Sequence, residues 1–461
     1  MLLKKEANKS IVEAINKGKN SDISKEMIIN LTRELLNENE QKERREIQFT
    51  RALKESLYNV YVKKDNTYVI YNTLYGGLIE LSLDEYEGIR NVSSHSFSDE
   101  EMAVLVDNGL LIDSIIDEPK IYNLIRKKVS EYCGESQQKN YTIAVTTACN
   151  ARCSYCYEKG IENRSMNIET AENIVDYICY NTNSGQPIQI TWFGGEPLLN
   201  KDIITFICEK LQSKKVLYKS SIITNGLLLL PDVIEDAVHK WKTEKVQITL
   251  DGVDDKYNTI KNYVGTYANP FDVVISNIDT LIERDVYVAI RINIAKNNYL
   301  EAIDTVRYLA DRYPFSEKIL VYPAFVSLDN NVDGFSERDR MQIIFDFIEA
   351  MPFFSKIWCR EKIYSLPEVN ACMRDEKNSV FIDSDGSMCR CEHLAGKNKH
   401  YDVQHISYVE EICIDYNYDR KCDSCAFFPK CLGGCMEERK QNGNHCSIDK
   451  YIIEAILKDF V

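Results

Sequence analysis

The chain has 461 residues, a length that suggests more than one domain. Its 44% hydrophobic and 28% charged fractions are ordinary for a soluble globular protein, and its apolar runs are far too short to span a bilayer. A formal net charge of -15 is a poor balance for holding phosphate backbones, which argues against nucleic acid and suits a basic or neutral peptide partner better.

The N-terminus, Met1-Leu2-Leu3-Lys4-Lys5-Glu6, lacks the apolar core of a secretory signal, so a cytoplasmic location and no membrane partner are expected. Over residues 1–45, Ile11, Ala14, Ile15, Ile28, Ile29, Leu31 and Leu35 fit amphipathic helices of a solvated extension with no visible chemistry. Residues 46–130 read as a small module of strands followed by helices. Tyr58–Val62 alternates with period two, Asp65-Asn66 signals a turn before Tyr68–Tyr71, and Gly76-Gly77 leads into Leu78–Leu81. Two helix starts carry capping boxes, Ser82 with Glu85 and Ser98 with Glu101. Leu81/Tyr86 and Phe97/Met102 can act as hydrophobic staples, and Asn108-Gly109 can close the second helix. A third amphipathic stretch covers about 119–132.

From 141 to 330, strands and helices alternate. Strands are expected at 141–147, 187–193, 218–224, 245–250, 286–294 and 318–326, with helices at 168–182, 201–213, 232–241, 271–284 and 300–312. Six such units predict an α/β fold with a parallel sheet curled into a partial (β/α)6 TIM-type barrel, its reactive groups at the C-terminal strand ends. Residues 340–461 read as Cys-rich, turn-rich and poor in periodic pattern.

Cysteine is the informative residue. There are 16 against six histidines, and in a reducing compartment so many thiols are seldom disulfide-bonded. Cys149, Cys153 and Cys156 fall in one loop after the first barrel strand. Three thiolates can hold three corners of a 4Fe–4S cluster and leave one iron open for a cofactor or substrate, whereas a structural zinc knuckle needs a fourth, distant ligand. Gly194-Gly195-Glu196-Pro197 stands where the second strand ends, Thr224-Asn225-Gly226 at the end of the third and Thr249-Leu250-Asp251-Gly252 at the end of the fourth. For each, a plain turn or cap role is the alternative.

The Cys149-x3-Cys153-x2-Cys156 loop, with Tyr155 before its last cysteine, resembles the signature of the radical S-adenosylmethionine (SAM) superfamily. That resemblance implies that SAM chelates the open iron and yields a 5′-deoxyadenosyl radical, that Tyr155 lies against adenine, and that Gly194, Gly195 and Glu196 receive the SAM ammonium. It also implies that Thr249 approaches the ribose and that Lys261, where Arg is usual, helps bind SAM. Farther on, Cys372-x13-Gly386-x4-Cys391 and then Cys422, Cys425, Cys431, Cys435 and Cys446 resemble the SPASM extension of radical SAM peptide maturases. By that resemblance Cys372, Cys391 and Cys435 bind a first auxiliary cluster, with Cys359 the upstream candidate for its fourth ligand and an open site the alternative. Cys422, Cys425, Cys431 and Cys446 bind a second. Zinc is the competing metal, since an all-thiolate tetrahedron does not separate the two. Cys389 is a competing ligand, and Cys133, Cys179, Cys208 and Cys413 read as ordinary thiols. Glu392 stands where sulfatase-maturing relatives keep a catalytic carboxylate; an exposed surface glutamate is the alternative.

Residues 46–130 look like a RiPP recognition element, a winged-helix-like module that holds a leader peptide as an added strand. Together these resemblances imply a maturase that installs a thioether or carbon–carbon cross-link in a ribosomal precursor peptide, with flavodoxin or ferredoxin as electron donor. The alternatives are formylglycine formation on a sulfatase and a non-enzymatic zinc-binding peptide adaptor.

Overall fold

The computed structural model describes residues 52–134, 140–182, 185, 187–265, 267–326, 334–365, 367–369, 372–376, 378–394, 401–404, 420–435 and 446–459. The helices expected over 1–45 and the thiol of Cys413 lie outside these residues.

The first part holds an antiparallel pair, β1 (Leu53–Glu55) with β5 (Leu111–Asp113), and an antiparallel sheet in the order β2 (Asn59–Lys64), β3 (Thr67–Asn72), β4 (Leu78–Ser82). Two short helices follow, α1 (Leu83–Arg90) and α2 (Asp99–Asp107), then α3 (Glu118–Gly134). Both expected capping boxes form: Ser82 accepts from the Glu85 amide while the Glu85 carboxylate accepts from the Ser82 amide, and Ser98 and Glu101 do the same. Ile70, Leu81, Ile89, Leu105, Leu110 and Leu111 make this module's own core.

The central sheet carries six parallel strands in sequence order: β6 (Asn140–Thr146), β7 (Ile188–Gly194), β8 (Tyr218–Thr224), β9 (Thr243–Thr249), β10 (Tyr287–Ile294) and β11 (Ile319–Phe325). Each lies within a few residues of its expected place. Helices α4 (Ile168–Asn181), α5 (Lys201–Ser213), α6 (Pro231–His239), α7 (Asp254–Lys261), α8 (Pro270–Glu283) and α9 (Tyr299–Arg312) fall between them. Side chains alternate across each strand. Tyr141, Ile143, Ile190, Trp192, Ile222, Val246, Ile248, Val288, Ile290 and Val321 join the main core with the helices. The opposite face carries the polar or half-buried Thr191, Ser221, Gln247, Thr249, Arg291 and Tyr322, while Ala144 and Phe193 at its β6–β7 end are buried against Phe381 and Cys389.

The 340–461 region, read as poor in pattern, contributes regular structure around this barrel. Helix α10 (Glu337–Ala350) and α11 (Phe353–Tyr364) precede β12 (Ser379–Ile382), which pairs parallel to β6 and extends the sheet; β13 (Ser387–Cys389) and β14 (Tyr401–Asp402) continue it antiparallel. A one-turn helix α12 (Phe428–Cys431) and the C-terminal α13 (Ile448–Asp459) follow. In α13, Tyr451, Ile452, Ile453, Ala455, Ile456 and Leu457 are all buried. Asp449, Lys450, Glu454, Lys458 and Asp459 leave it an amphipathic pattern, which sequence reasoning passed over beside the cysteines. Among the described residues no helix is long and apolar enough to cross a membrane.

Candidate functional site

The loop that leaves β6 is tied down at nearly every residue. Thr146 Oγ1 donates to Arg164 O at 2.9 Å and accepts from the Ala148 amide at 3.1 Å. Asn150 O accepts from the Val264 amide at 2.7 Å, and the Arg152 amide donates to Lys261 O at 2.9 Å. Asn150 Oδ1 accepts from Asn225 Nδ2 at 2.7 Å. The loop is thus held between the end of β8 and the C-terminus of α7.

Its three thiols share one neighbourhood. Burial pushes the Cys149 thiol up to about 11, and Glu196, Cys153 and Cys156 act in the same direction. Cys156 is raised by burial, then by Glu158 and Cys153. The Ala151 amide donates to Cys149 Sγ at 3.4 Å, the kind of bond a ligating sulfur accepts. Asn150 Nδ2 is buried with no hydrogen-bond partner among the described residues. Three crowded thiols with donors at hand fit a group that takes up negative sulfur, so the residues suit a 4Fe–4S cluster. Among the described residues no three ligating side chains converge on a single-ion site.

Gly194 and Gly195 bring the end of β7 against this loop. Gly194 has φ +135°, and a Cβ there would sit 2.0 Å from Thr146 O. A Cβ on Gly195 would sit 2.5 Å from Ala148 O. The Gly195 and Glu196 amides donate to Thr146 O and Ala148 O at 3.0 and 2.9 Å. Only glycine allows two backbones to close to that distance.

The Glu196 side chain is fully buried. It accepts from Thr224 Oγ1 at 2.8 and 2.9 Å, from the Asn225 amide at 2.9 Å and from the Leu198 amide at 3.1 Å. Burial raises its carboxyl to about 7 against the pull of those donors and of Lys261. The structure therefore makes it the joint between the ends of β7 and β8; a SAM ammonium would be an added partner.

A second buried polar knot lies on the other side of the loop. Lys261 and Asp251 have side chains 2% and 0% exposed and form an ion pair of 2.8 Å. Lys261 Nζ also donates to Tyr155 Oη at 3.0 Å, and Tyr155 Oη donates to Asp251 Oδ2. Asp251 Oδ1 accepts from the Asn293 amide at 3.1 Å. Burial works against the Lys261 cation, but Asp251 and Tyr155 outweigh it and hold its pKa well above the usual lysine value. Burial likewise raises the Tyr155 phenol. Lys261 is thus neutralised by Asp251, and Tyr155, expected beside adenine, is pinned through its hydroxyl. Thr249 ends β9, half-buried on the lumen side. Sequence reasoning passed over Asp251, Asn150, Asn225 and Asn293. Asp251 stood inside the quoted Thr249-Leu250-Asp251-Gly252 turn, but nothing in the sequence told that it meets Lys261.

The later thiols fall into two neighbourhoods. Burial pushes Cys391 up to about 12, and Glu392, Cys435 and Cys372 add to it. Cys431 is likewise near 12, with Cys425 and Cys422 among its neighbours, and Cys446 is raised by burial with Cys425 and Cys422 beside it. Cys372 and Cys435 thus lie in the surroundings of Cys391, and Cys422 and Cys425 in those of Cys431 and Cys446. Cys359 is not part of the first group. It is fully buried on α11, its thiol 3.7 Å from Met351 Sδ, with Lys362 and Asp449 as its ionisable neighbours. Cys389 Sγ donates to Cys391 O at 3.2 Å and packs with Ala144, Phe193 and Phe381 on the lumen side.

Glu392 opens a short helical turn, Glu392–Leu394, at the lumen mouth. It is half-buried and adds its charge to the surroundings of Tyr157, Glu158 and, on β11, Tyr322. Glu158 is raised to about 7 by burial, with Asp383 and Glu392 reinforcing.

Residues 143–309, the stretch that carries this loop and five of the six parallel strands, match the model of the Radical SAM superfamily. The match covers that stretch of the chain, a little over a third of its length. An uncharacterised protein of Methanocaldococcus jannaschii is 32% identical over 120 residues, 25% of this chain and 40% of that protein. The radical SAM cyclopropyl synthase TigE of Paramaledivibacter caminithermalis is 22% identical over 291 residues, 56% of this chain and 60% of TigE. The chain thus spans 40% and 60% of the length of these two relatives. It is 23% identical over 367 residues to a cysteine-type anaerobic sulfatase-maturating enzyme of Clostridium novyi, 68% of this chain and 91% of that enzyme. The fold is shared with a solved structure of anSMEcpe with bound AdoMet, at a TM-score of 0.51 and 15% identity over 69% of this chain and 92% of that one.

Proposed function

We propose that the protein is a radical SAM maturase that cross-links a ribosomally made precursor peptide, held at its leader by residues 46–130 and entering the lumen of the 141–330 barrel with its core. The observation that carries the reading is the three-thiol loop at the C-terminal end of β6, locked against Gly194-Gly195 and the Asp251–Lys261 pair. Catalytic groups of such barrels stand at that end. Cys149, Cys153 and Cys156 would hold three irons of a 4Fe–4S cluster and leave the fourth for SAM. Bound there, cluster and SAM together supply a reductively made carbon radical that takes a hydrogen atom from the substrate.

The chain's own residues do the rest. Gly194 and Gly195 bring backbone to the cofactor site, and Thr249 faces the lumen beside it. Closure of a thioether or carbon–carbon bond requires a proton acceptor and a one-electron acceptor. Glu392, half-buried beside Cys391, would take the first role. The two later thiol groups, Cys372/Cys391/Cys435 and Cys422/Cys425/Cys431/Cys446, are the candidates to hold an acceptor for the second. A ferredoxin or flavodoxin would supply the reducing electron.

The test is anaerobic reconstitution with iron and sulfide, followed by reductant and SAM. The intact protein should release 5′-deoxyadenosine, and replacement of Cys149, Cys153 and Cys156 together with Ala should abolish release; persistence would overturn the ligand assignment. A second reading, formylglycine formation, draws its support from the 23% identical match to 91% of the Clostridium novyi enzyme's length. Offering a Cys-containing sulfatase peptide and looking for aldehyde in place of thiol by mass spectrometry separates the two.

A further inference from the structure

The chain between α7 and α8 runs over the outer side of the three-thiol loop. The Val264 amide donates to Asn150 O at 2.7 Å, and the Arg152 amide donates to Lys261 O and Asn262 O at 2.9 and 3.1 Å. Cys153 Sγ stands 3.9 Å from Lys261 O. Asn262 and Val264 are exposed, so a single layer of chain separates this thiol from solvent. The surface they belong to is poor in charge. The sequence has no carboxylate from Asn258 to Asn269, nor from Cys149 to Tyr157, although the chain carries 71 acidic against 56 basic side chains. Asp255 and Asp272 bound the face, and Asn269 Nδ2 donates to Asp272. Lys261 adds no charge to it, being buried against Asp251. Val264 and Tyr267 are 50% and 39% exposed, and Arg152 and Ala268 are exposed with them. The Tyr267 ring meets the Tyr263 ring edge-on at 5.9 Å between centroids, and the Tyr263 phenol lies in the surroundings of Cys153. Two rings thus lead from this surface to the thiols.

We propose that this face, centred on Tyr267 and Val264, seats the protein that delivers the reducing electron, a small acidic one-electron carrier. The proposal rests on the reading of the protein as a radical SAM enzyme, and it adds where the donor sits and which charge it bears. One electron leaves the carrier and enters the group held by Cys149, Cys153 and Cys156; no bond or proton moves with it. In that reading SAM and the peptide occupy the lumen, which leaves the donor the outer side of the loop. Electron tunnelling falls steeply with distance, so contact through one layer of chain outruns any farther surface. A basic carrier would be drawn to the acidic remainder of a chain at -15. An acidic one is repelled there and tolerated here, beside the Arg152 guanidinium, which is fixed by donating to Cys149 O and Ala151 O at 2.7 Å. Electron-transfer partners meet over small areas, so a few exposed side chains are enough.

The test uses full-length, anaerobically reconstituted protein and two reductants, flavodoxin hydroquinone as the acidic carrier and dithionite as a small one. Freeze-quench electron paramagnetic resonance follows the reduced-cluster signal after mixing, and 5′-deoxyadenosine release on adding SAM reports the electrons that reach the three-thiol site. Tyr267→Glu/Ala268→Glu should slow reduction by flavodoxin about tenfold and leave reduction by dithionite and the iron content unchanged. Ala268→Lys should speed the flavodoxin reaction and make it fall more steeply with salt. Leu217→Glu/Phe315→Glu, the same charge added at exposed positions before β8 and β11, at the far end of the barrel, should change neither rate. A flavodoxin rate indifferent to both the Glu and the Lys variants, or slowed by the Leu217/Phe315 variant instead, would overturn the proposal. Absence of 5′-deoxyadenosine with dithionite sinks the radical reading. Release intact with dithionite, together with a flavodoxin rate indifferent to Tyr267 and Ala268, sinks the docking face alone.

Discussion

Two buried carboxylates flank the three-thiol loop and do different work. Asp251 neutralises Lys261 with almost no exposed surface on either side chain, and both meet the hydroxyl of Tyr155. Removing one member of such a pair strands a buried charge, at a cost of about 3–5 kcal/mol, while removing both together is far milder. Chemical denaturation should therefore show Asp251→Leu strongly destabilised and Asp251→Leu/Lys261→Met largely restored. Equal losses in the single and double variants would mean that the pair does not interact. Glu196 answers to pH instead. Its folded carboxyl is raised from the usual 4.5 to about 7 by burial. Between those values the folded state binds the proton and the unfolded chain does not, so this group's contribution to stability falls as pH rises through the window. Stability curves of the intact protein and Glu196→Gln, compared between about pH 4.5 and 7, should differ in slope in that sense; parallel curves would contradict it. Cys149, Cys153, Cys156, Gly194, Gly195 and Glu196 were all legible, because the spacing of their residue types is local. Asp251 was not, because its partner is set by how α7 returns over the loop.

At the level of elements, the six parallel strands and their helices were read closely, since strand and helix periods alternate cleanly from 141 to 326. The capping boxes of α1 and α2 were read correctly because cap chemistry is fixed by residues three apart. The 340–461 region was not: β12 is four residues of full burial borrowed by the edge of the barrel sheet, and the amphipathic pattern of α13 was passed over. The meeting of β6 and β7 is the element contact on which the site depends. A Cβ on Gly195 would meet the backbone oxygens of Ala148 and Thr147 at 2.5 and 2.6 Å, and backbone cannot swing aside as a side chain can. Gly195→Ala should shift the strand end and the thiol loop together. The measurable result is a loss of iron and sulfide from the three-thiol site, read in a background in which the later thiols are replaced so that only this site can load. Full loading in Gly195→Ala would show that the loop tolerates the shift.

Across the whole molecule, the N-terminal module stands on the second group of thiols. Tyr58, Leu74 and Tyr122 pack with Phe428 and Leu432, with Cys422 and Cys425 at the border of that cluster. Thr73 Oγ1 donates to Ala426 O and Tyr122 Oη to Glu368 O, each at 2.5 Å, and Arg126 Nε donates to Val369 O at 3.1 Å. Whatever orders the Cys422–Cys435 segment therefore also orders the footing of the N-terminal module, because ligand binding stabilises the state it binds. Replacing Cys422, Cys425 and Cys431 with Ser should speed amide exchange around Tyr58 and Tyr122, while replacing Cys149, Cys153 and Cys156 should leave it unchanged. Equal protection in both variants would show that the two regions are not linked.

The most direct measurement is electron paramagnetic resonance of the anaerobically reconstituted, reduced protein before and after SAM is added. An iron left open by Cys149, Cys153 and Cys156 predicts a cluster signal whose shape changes with SAM, and the loss of that SAM-sensitive part in the triple Ala variant. A sample that carries zinc alone, or a cluster signal indifferent to SAM, would contradict the account.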